Sequence, residues 1–297
     1  MNWTINKEHD GMNIRDYLKQ VHGFSRRILI AVKKHTNGIL VNGEPKTVRY
    51  LLREGDTLEV FFPKENKSEH MTAEPLELDI VYEDDAAIVI NKSPNMATLP
   101  SRHHPNGTLA NGLLYYYEQK QIDSTVHVVT RLDRETSGLL LIAKDRYSHS
   151  ILAASQKEGK VSRKYLALVE GNVEEEKGTI NAPIGREHDS IIKRTVREDG
   201  KRAVTHFKVL QRFEQYTLVE AELETGRTHQ IRVHFSHIGH PLAGDDLYGA
   251  SRTDFQRHAL HCIELGFTHP LTNEKKLIRG KLPNDMKDWI ATLRPYN

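Results

Sequence analysis

The chain reads as an α+β protein, with a mainly antiparallel mixed sheet and flanking helices preceded by a small α/β unit. Three observations predict this. In residues 76–297, strand-like runs follow one another with few helical patterns between them, which favours antiparallel neighbours over crossover units. Residues 13–62 instead combine two short amphipathic helices with short strands. Between them, residues 64–75 (KENKSEHMTAEP) are polar, lack apolar periodicity and read as an interdomain linker. The expected organisation is therefore a unit at 1–63, a linker at 64–75 and a larger domain at 76–297.

Taken in order, Asn13 caps a helix that carries Ile14, Tyr17, Leu18 and Val21. Ser25 caps a second, whose apolar face is Ile28, Leu29 and Val32, and Asn37-Gly38 stops it. A strand at Ile39-Leu40-Val41 meets Asn42-Gly43, a tight-turn signal. Another, 57–62, follows the turn Glu54-Gly55-Asp56. In the larger domain the expected strands are 78–82, 86–91, 138–144, 164–170, 203–213 and 216–224, with helices starting near Asp145, Thr228 and Asn284.

Composition narrows the class. The 297 residues are 38% hydrophobic and 28% charged, enough apolar content for a core in a polar, globular chain. No apolar run approaches the ~20 residues that span a bilayer, and the first residues (MNWTINKEHDGMN) lack the apolar core of a signal peptide. With Cys262 alone, no intrachain disulfide framework is possible. A cytoplasmic monomer with no membrane partner is the expectation. The net charge of +2 does not itself imply nucleic acid, but its distribution does. Residues 21–49 carry six basic side chains against one acid, and residues 191–202 carry five against two. Both are candidate phosphate-contact surfaces.

The most informative run is 126–144, VHVVTRLDRETSGLLLIAK. A strand-like stretch enters a knot of charges, and the apolar run Leu139–Ile142 follows. Asp133 thus stands at the edge of a core between Arg131 and Arg134, a placement that suits a carboxylate kept ionised yet shielded from water. Arg131-Leu132-Asp133-Arg134-Glu135-Thr136-Ser137-Gly138 resembles the catalytic motif of the RluA/RluD-type RNA pseudouridine synthases, usually His-Arg-Leu-Asp-x-x-Thr-Ser-Gly, with Thr130 in place of the histidine. Further segments resemble the family in the same order. They are Asn91-Lys92-Ser93-Pro94, a loose match, then Arg163-Lys164-Tyr165-Leu166, residues 225–234 (TGRTHQIRVH), Gly244–Gly249 and His258-Ala259-Leu260-His261. The N-terminal unit, through Ser25-Arg26-Arg27, Val41-Asn42-Gly43 and Glu54-Gly55-Asp56, resembles the S4 RNA-binding module.

The resemblance implies an isomerase that converts uridine to pseudouridine in RNA without a cofactor or metal. Asp133 matches the catalytic aspartate, Arg232 the basic residue paired with it, and Tyr165 the tyrosine against the target base. Arg131 matches the arginine linked to base flipping. Ile231 falls at the pocket wall while sharing helical spacing with Phe235 and Ile238, and Leu260 packs on the base. Arg26, Arg27, Lys33 and Lys34 are the expected RNA contacts of the S4-like module, which points to ribosomal RNA, most readily of the large subunit, with transfer RNA as the alternative.

The chemistry accounts for these residue types. The N1–C1′ bond breaks, the uracil turns and C5 takes its place, so the detached base must be enclosed. Burial alone raises an aspartate pKa by up to ~3–5 units, and a close arginine lowers it by ~1–3. Whether Asp133 attacks the sugar, attacks the base or assists a deprotonation stays open. Two other classes compete. His229, His234, His237, His240 and Asp245 raise a metal hydrolase, though their spacing fits no standard zinc signature. A non-catalytic RNA-binding or ribosome-assembly factor is the other, disfavoured by the presence of Asp133, Tyr165 and Arg232 together.

Overall fold

Asn13 and Ser25 start the first two helices as their side chains dictate. The Asn13 amide oxygen accepts from the Asp16 N–H (3.0 Å) and the Ser25 hydroxyl from the Ile28 N–H (3.3 Å), opening α1 (Ile14–Gln20) and α2 (Arg26–Lys34). The computed structural model describes residues 1–65, 71–102 and 104–296. Strands β1 (Asn2–Thr4), β2 (Ile39–Val41), β3 (Glu44–Pro45) and β4 (Thr57–Val60) form an antiparallel sheet in the order β1-β4-β2-β3. The β2–β3 turn has Asn42 and Gly43 both at positive φ, 53° and 80°, which Asn and Gly tolerate best. Asn42 also ties the two turns of this unit, donating to Asp56 (2.8 Å) and accepting from the Thr57 N–H (2.8 Å).

Two details differ from the sequence reading. Val21 is not part of the apolar face; α1 stops at Gln20 and leaves Val21 exposed. The last strand ends at Val60, and Phe62 instead meets Phe24 and Tyr147 ring to ring. Tyr147 belongs to α4 (Arg146–Lys157) in the larger part of the chain, yet it is buried in the N-terminal core and donates to the His22 carbonyl (3.0 Å). The two parts therefore share a packed contact.

Of the expected linker, residues 66–70 lie outside the described residues. Its end is not free chain. The Thr72 carbonyl accepts from the Asn111 side chain (2.8 Å) and the Glu74 carboxylate from the Gly107 N–H (3.0 Å), strapping it to α3 (Leu109–Gln119).

Among the described residues the larger part is built on one ten-stranded sheet. Its strands are β5 (Ile80–Glu83), β6 (Ala87–Lys92), β7 (His127–Val128), β8 (Ser137–Ala143), β9 (Ser162–Glu170), β10 (Lys177–Asn181), β13 (Val204–Arg212), β14 (Tyr216–Leu223), β15 (Leu260–Thr268) and β16 (Lys275–Arg279). The main order is β10-β13-β14-β9-β15-β8-β6-β5, and every pairing is antiparallel except β8 with β15. A separate hairpin, β11 (Ile184–Arg186) and β12 (Arg194–Val196), stands off it, and helices α5 (Gln230–His237) and α6 (Asn284–Thr292) complete the domain. All seven residues of β8 are buried, as its apolar run required for a central strand covered on both faces. Gly138 has φ of 110° and lies so close to β15 that an added Cβ would sit 2.3 Å from the Cys262 carbonyl oxygen. Only glycine fits there, so the loop before it enters β8 close against β15.

Candidate active site

The segment 129–136 crosses from β7 to β8, and its backbone is held from behind. Thr98 donates to the Leu132 carbonyl (2.9 Å), Lys92 Nζ to the Arg134 carbonyl (3.1 Å) and Arg257 to the Glu135 carbonyl (3.1 Å). Lys92 is enclosed; it also donates to the Ser93 and Met96 carbonyls (2.8 Å each), and burial pushes its pKa down to about 7. The Asn91–Pro94 turn is thus a brace under the loop. Thr130 is buried and accepts from the Leu141 N–H (2.8 Å), so its hydroxyl serves the backbone at the place of the family's histidine.

From this loop the Asp133 side chain reaches the first turn of α5. Arg232 Nη1 donates to Asp133 (3.3 Å), while its Nε and Nη2 hold Asp245 in a two-pronged bond (2.7 and 2.8 Å). The guanidinium also lies over the Tyr248 ring, 4.9 Å from its centre. His229 sits 3.8 Å from Asp133 and bonds the Tyr248 hydroxyl through Nδ1 (2.8 Å). It adopts a left-handed backbone, φ 58°, and Gln230 fastens the turn before it by accepting from Thr225 and from the Arg227 N–H.

Burial pushes the Asp133 carboxyl up, but His229 and Arg232 outweigh it and hold the pKa below the usual value. Burial lowers His229 itself, so Arg232 supplies the standing positive charge at neutral pH. Asp245, fully enclosed, fixes the guanidinium in orientation. Below the loop, His258 bonds Thr136 (2.7 Å) and lies 3.4 Å from Glu135, whose pKa that contact draws down to about 2.

These groups open onto a cavity of about 650 Å³, a size that suits one nucleoside. Asp133, Tyr165 and Arg232 line it together with Arg131, Ile231 and Leu260, so the six pocket residues proposed from sequence meet in one place. Asp133 is the only carboxylate among the described residues that line it. Tyr165, Ile231 and Leu260 are buried side chains that present apolar surface, and Arg131 is exposed at the mouth. Burial raises the Tyr165 pKa, so its hydroxyl stays protonated.

Arg26, Arg27, Lys33 and Lys34 are elsewhere, all exposed on α2 with no ion pair among the described residues. The second basic segment is less free than its composition predicted. Lys193 pairs with Glu187, Arg197 with Asp199 and Arg202 with Glu224. The histidines of the hydrolase alternative do not converge. His234 is buried with both ring nitrogens engaged, by Thr205 and the Ala182 carbonyl, and His240 bonds the Glu170 carbonyl. Sequence reasoning missed three participants: the brace Lys92, the anchor Asp245 and the Tyr248–His229 pair. All lay inside segments already singled out, but their roles depend on which chain segments meet.

A family model described as RNA pseudouridylate synthase matches residues 86–237, a span that includes the Asp133 loop and α5. The chain belongs to this family. The synthase is 50% identical over 279 residues to the RNA pseudouridine synthase YjbO of Bacillus subtilis, covering 94% of this chain and 98% of that one. It is 39% identical over 269 residues to the ribosomal large subunit pseudouridine synthase D of Pseudomonas aeruginosa, covering 86% and 83%. Among solved structures it superposes on human RNA pseudouridylate synthase domain containing 1 with a TM-score of 0.62 at 28% identity, over 74% of this chain and 89% of the other. The synthase is an isomerase acting on RNA, of the RluA/RluD type. Among the described residues no helix is long and apolar enough to cross a membrane.

Proposed function

We propose that the synthase isomerises uridines of large-subunit ribosomal RNA, with Asp133 as the catalytic carboxylate. The observation that carries the site assignment is the solitary Asp133 carboxylate in the cavity, with an Arg232 whose other edge is committed to Asp245. Arg232 keeps Asp133 ionised, Tyr165 stacks on the flipped uracil, and Ile231 and Leu260 close the apolar walls that keep water from the detached base. The RNA class is supported by relatives named as ribosomal large-subunit enzymes that match across most of the chain. The S4-like fold of residues 1–63 gives a second, basic contact to structured RNA. Mapping pseudouridines in total RNA from cells with and without the gene tests the target. Loss of sites only in transfer RNA would refute the ribosomal assignment.

Two outcomes follow from the RNA contacts. Arg27 and Lys34 are seven residues apart on the exposed face of α2. Replacing both with alanine should reduce the log–log salt slope of RNA binding by about 1.4–1.8, at ~0.7–0.9 per phosphate contact. The slope is read from dissociation constants across a salt series, and an unchanged slope removes α2 from the interface. These substitutions are preferable to deleting residues 1–63, which would uncover Tyr147 and Ile151 of α4.

Arg131, at the cavity mouth, is placed to occupy the gap left by the flipped uridine, where a planar cation stacks on neighbouring bases. Arg131→Ala should slow reaction on structured RNA by ~10–100-fold, a share of the few kcal/mol that unstacking costs. The loss should be smaller on a short unstructured strand. Equal losses on both, with a normal 2-aminopurine flipping signal, would assign Arg131 to the chemistry instead.

A further inference from the structure

One cavity-lining group has no role so far. Arg163 projects from β9 on the same face as Tyr165, two residues away, and is only 8% exposed. Its Nε is buried without a hydrogen-bond partner, and no carboxylate pairs with its guanidinium, among the described residues. Its neighbour Lys164, on the opposite face, lies by contrast near Glu220 (3.6 Å) and Glu264 (3.8 Å). A buried cation without a partner is costly, and the usual resolution is an anion supplied by a ligand. The chain also clears space for it: a Cβ added at Gly226 would stand 3.0 Å from Arg163 Nη2.

We propose that Arg163 donates hydrogen bonds to the carbonyl oxygens of the target uracil and stabilises the negative charge that the base carries during isomerisation. This rests on the reading of the Asp133 cavity as the reaction site. The need arises on every open route. If Asp133 attacks C1′, the N1–C1′ electron pair leaves with uracil, which becomes an anion. If the 2′ proton is removed and a C1′–C2′ double bond forms, the same pair again stays on the base. If Asp133 adds to C6, the pair of the C5–C6 double bond moves through the ring onto O4. On the first two routes the charge persists until C5 bonds C1′, after which C5 gives up its proton and N1 takes one up. On the third it passes to N1 as C5 displaces N1 at C1′; N1 is then protonated while C5 loses its proton and Asp133 leaves C6. A fixed donor aimed at such a developing oxyanion is the kind of group that accelerates a step most. The depth of Arg163 favours the base over a phosphate, because the exposed Arg131, Arg134 and Arg227 already ring the mouth.

Arg163→Gln should lower the single-turnover rate by about 10²–10³-fold, with RNA affinity within a few-fold of the parent, and Arg163→Lys should lose less. The diagnostic is 5-fluorouridine at the target position, because fluorine stabilises the base anion. The Gln variant should lose clearly less on the fluorinated RNA, measured as breakage of its N1 glycosidic bond. That comparison is a ratio within one preparation, so partial misfolding does not affect it. Equal losses on both RNAs would overturn the proposal in favour of a structural role. A normal rate at saturation, with weaker binding and a salt slope smaller by about 0.7–0.9, would overturn it in favour of a phosphate contact. An active Asp133→Asn control would instead remove the underlying reading of the site.

Discussion

Asp133→Asn should abolish turnover, by at least about 10⁴-fold as for the loss of other catalytic side chains, while RNA affinity stays within a few-fold. The amide preserves the volume of the side chain but removes the anion that Arg232 faces at 3.3 Å. The fold should survive, because Arg232 remains paired with Asp245 and no buried cation is left alone. The replaced carboxylate is also not sealed in the interior: 29% of its side chain is exposed where it lines the cavity. Tritium release from RNA labelled at uridine C5 reads the reaction directly, since C5 exchanges its hydrogen for the sugar bond. Filter binding and thermal unfolding give the controls. Substantial release from a folded variant would sink the assignment of Asp133.

The parts of this protein that local chemistry specifies were legible in its sequence. Asn13 and Ser25 are caps, Asn42-Gly43 is the turn, and Gly138 announces β8. The parts set by distant contacts were not. Helix α3 was passed over because Leu109 to Leu114 are all buried, so the segment has no polar face to reveal a helical period. Its Thr108–Asn111 capping box was the available signal. Strand β15 was not among the expected strands; it lies between β8 and β9 in mid-sheet and its burial shows no alternation either. The Asp133 loop was recognisable as a motif, yet what holds it is a lysine 41 positions earlier and an arginine 124 later. Asp245 is the sharpest case. Nothing in its neighbourhood of the sequence separates it from Asp246, but one is enclosed against Arg232 and the other faces Arg252 at the surface.

That difference makes Arg232→Met the most damaging change expected here. It removes two donors from Asp245 and one from Asp133 at once, leaving two carboxylates without their shared cation. Breaking a buried pair in this way costs about 3–5 kcal/mol. The pH dependence follows from the directions involved. In the parent, Asp133 titrates below its ordinary value, so activity is present above that folded pKa and falls only as pH drops through it. Without Arg232, burial prevails and the carboxylate pKa rises, so the acid limb of the rate profile should move upward. The unfolding data should move in the complementary sense. A carboxyl whose folded pKa is raised loses stability above its unfolded pKa, near 3.9, so the mutational cost should be larger at pH 7 than at pH 4. The double variant Arg232→Met, Asp245→Asn separates the two effects. It removes the stranded charge and should recover much of the stability, but it leaves Asp133 without a counterion and should remain nearly inactive at neutral pH. Recovery of activity in that double variant would show that Arg232 matters only as a partner for Asp245, and the electrostatic role assigned to it at Asp133 would fall.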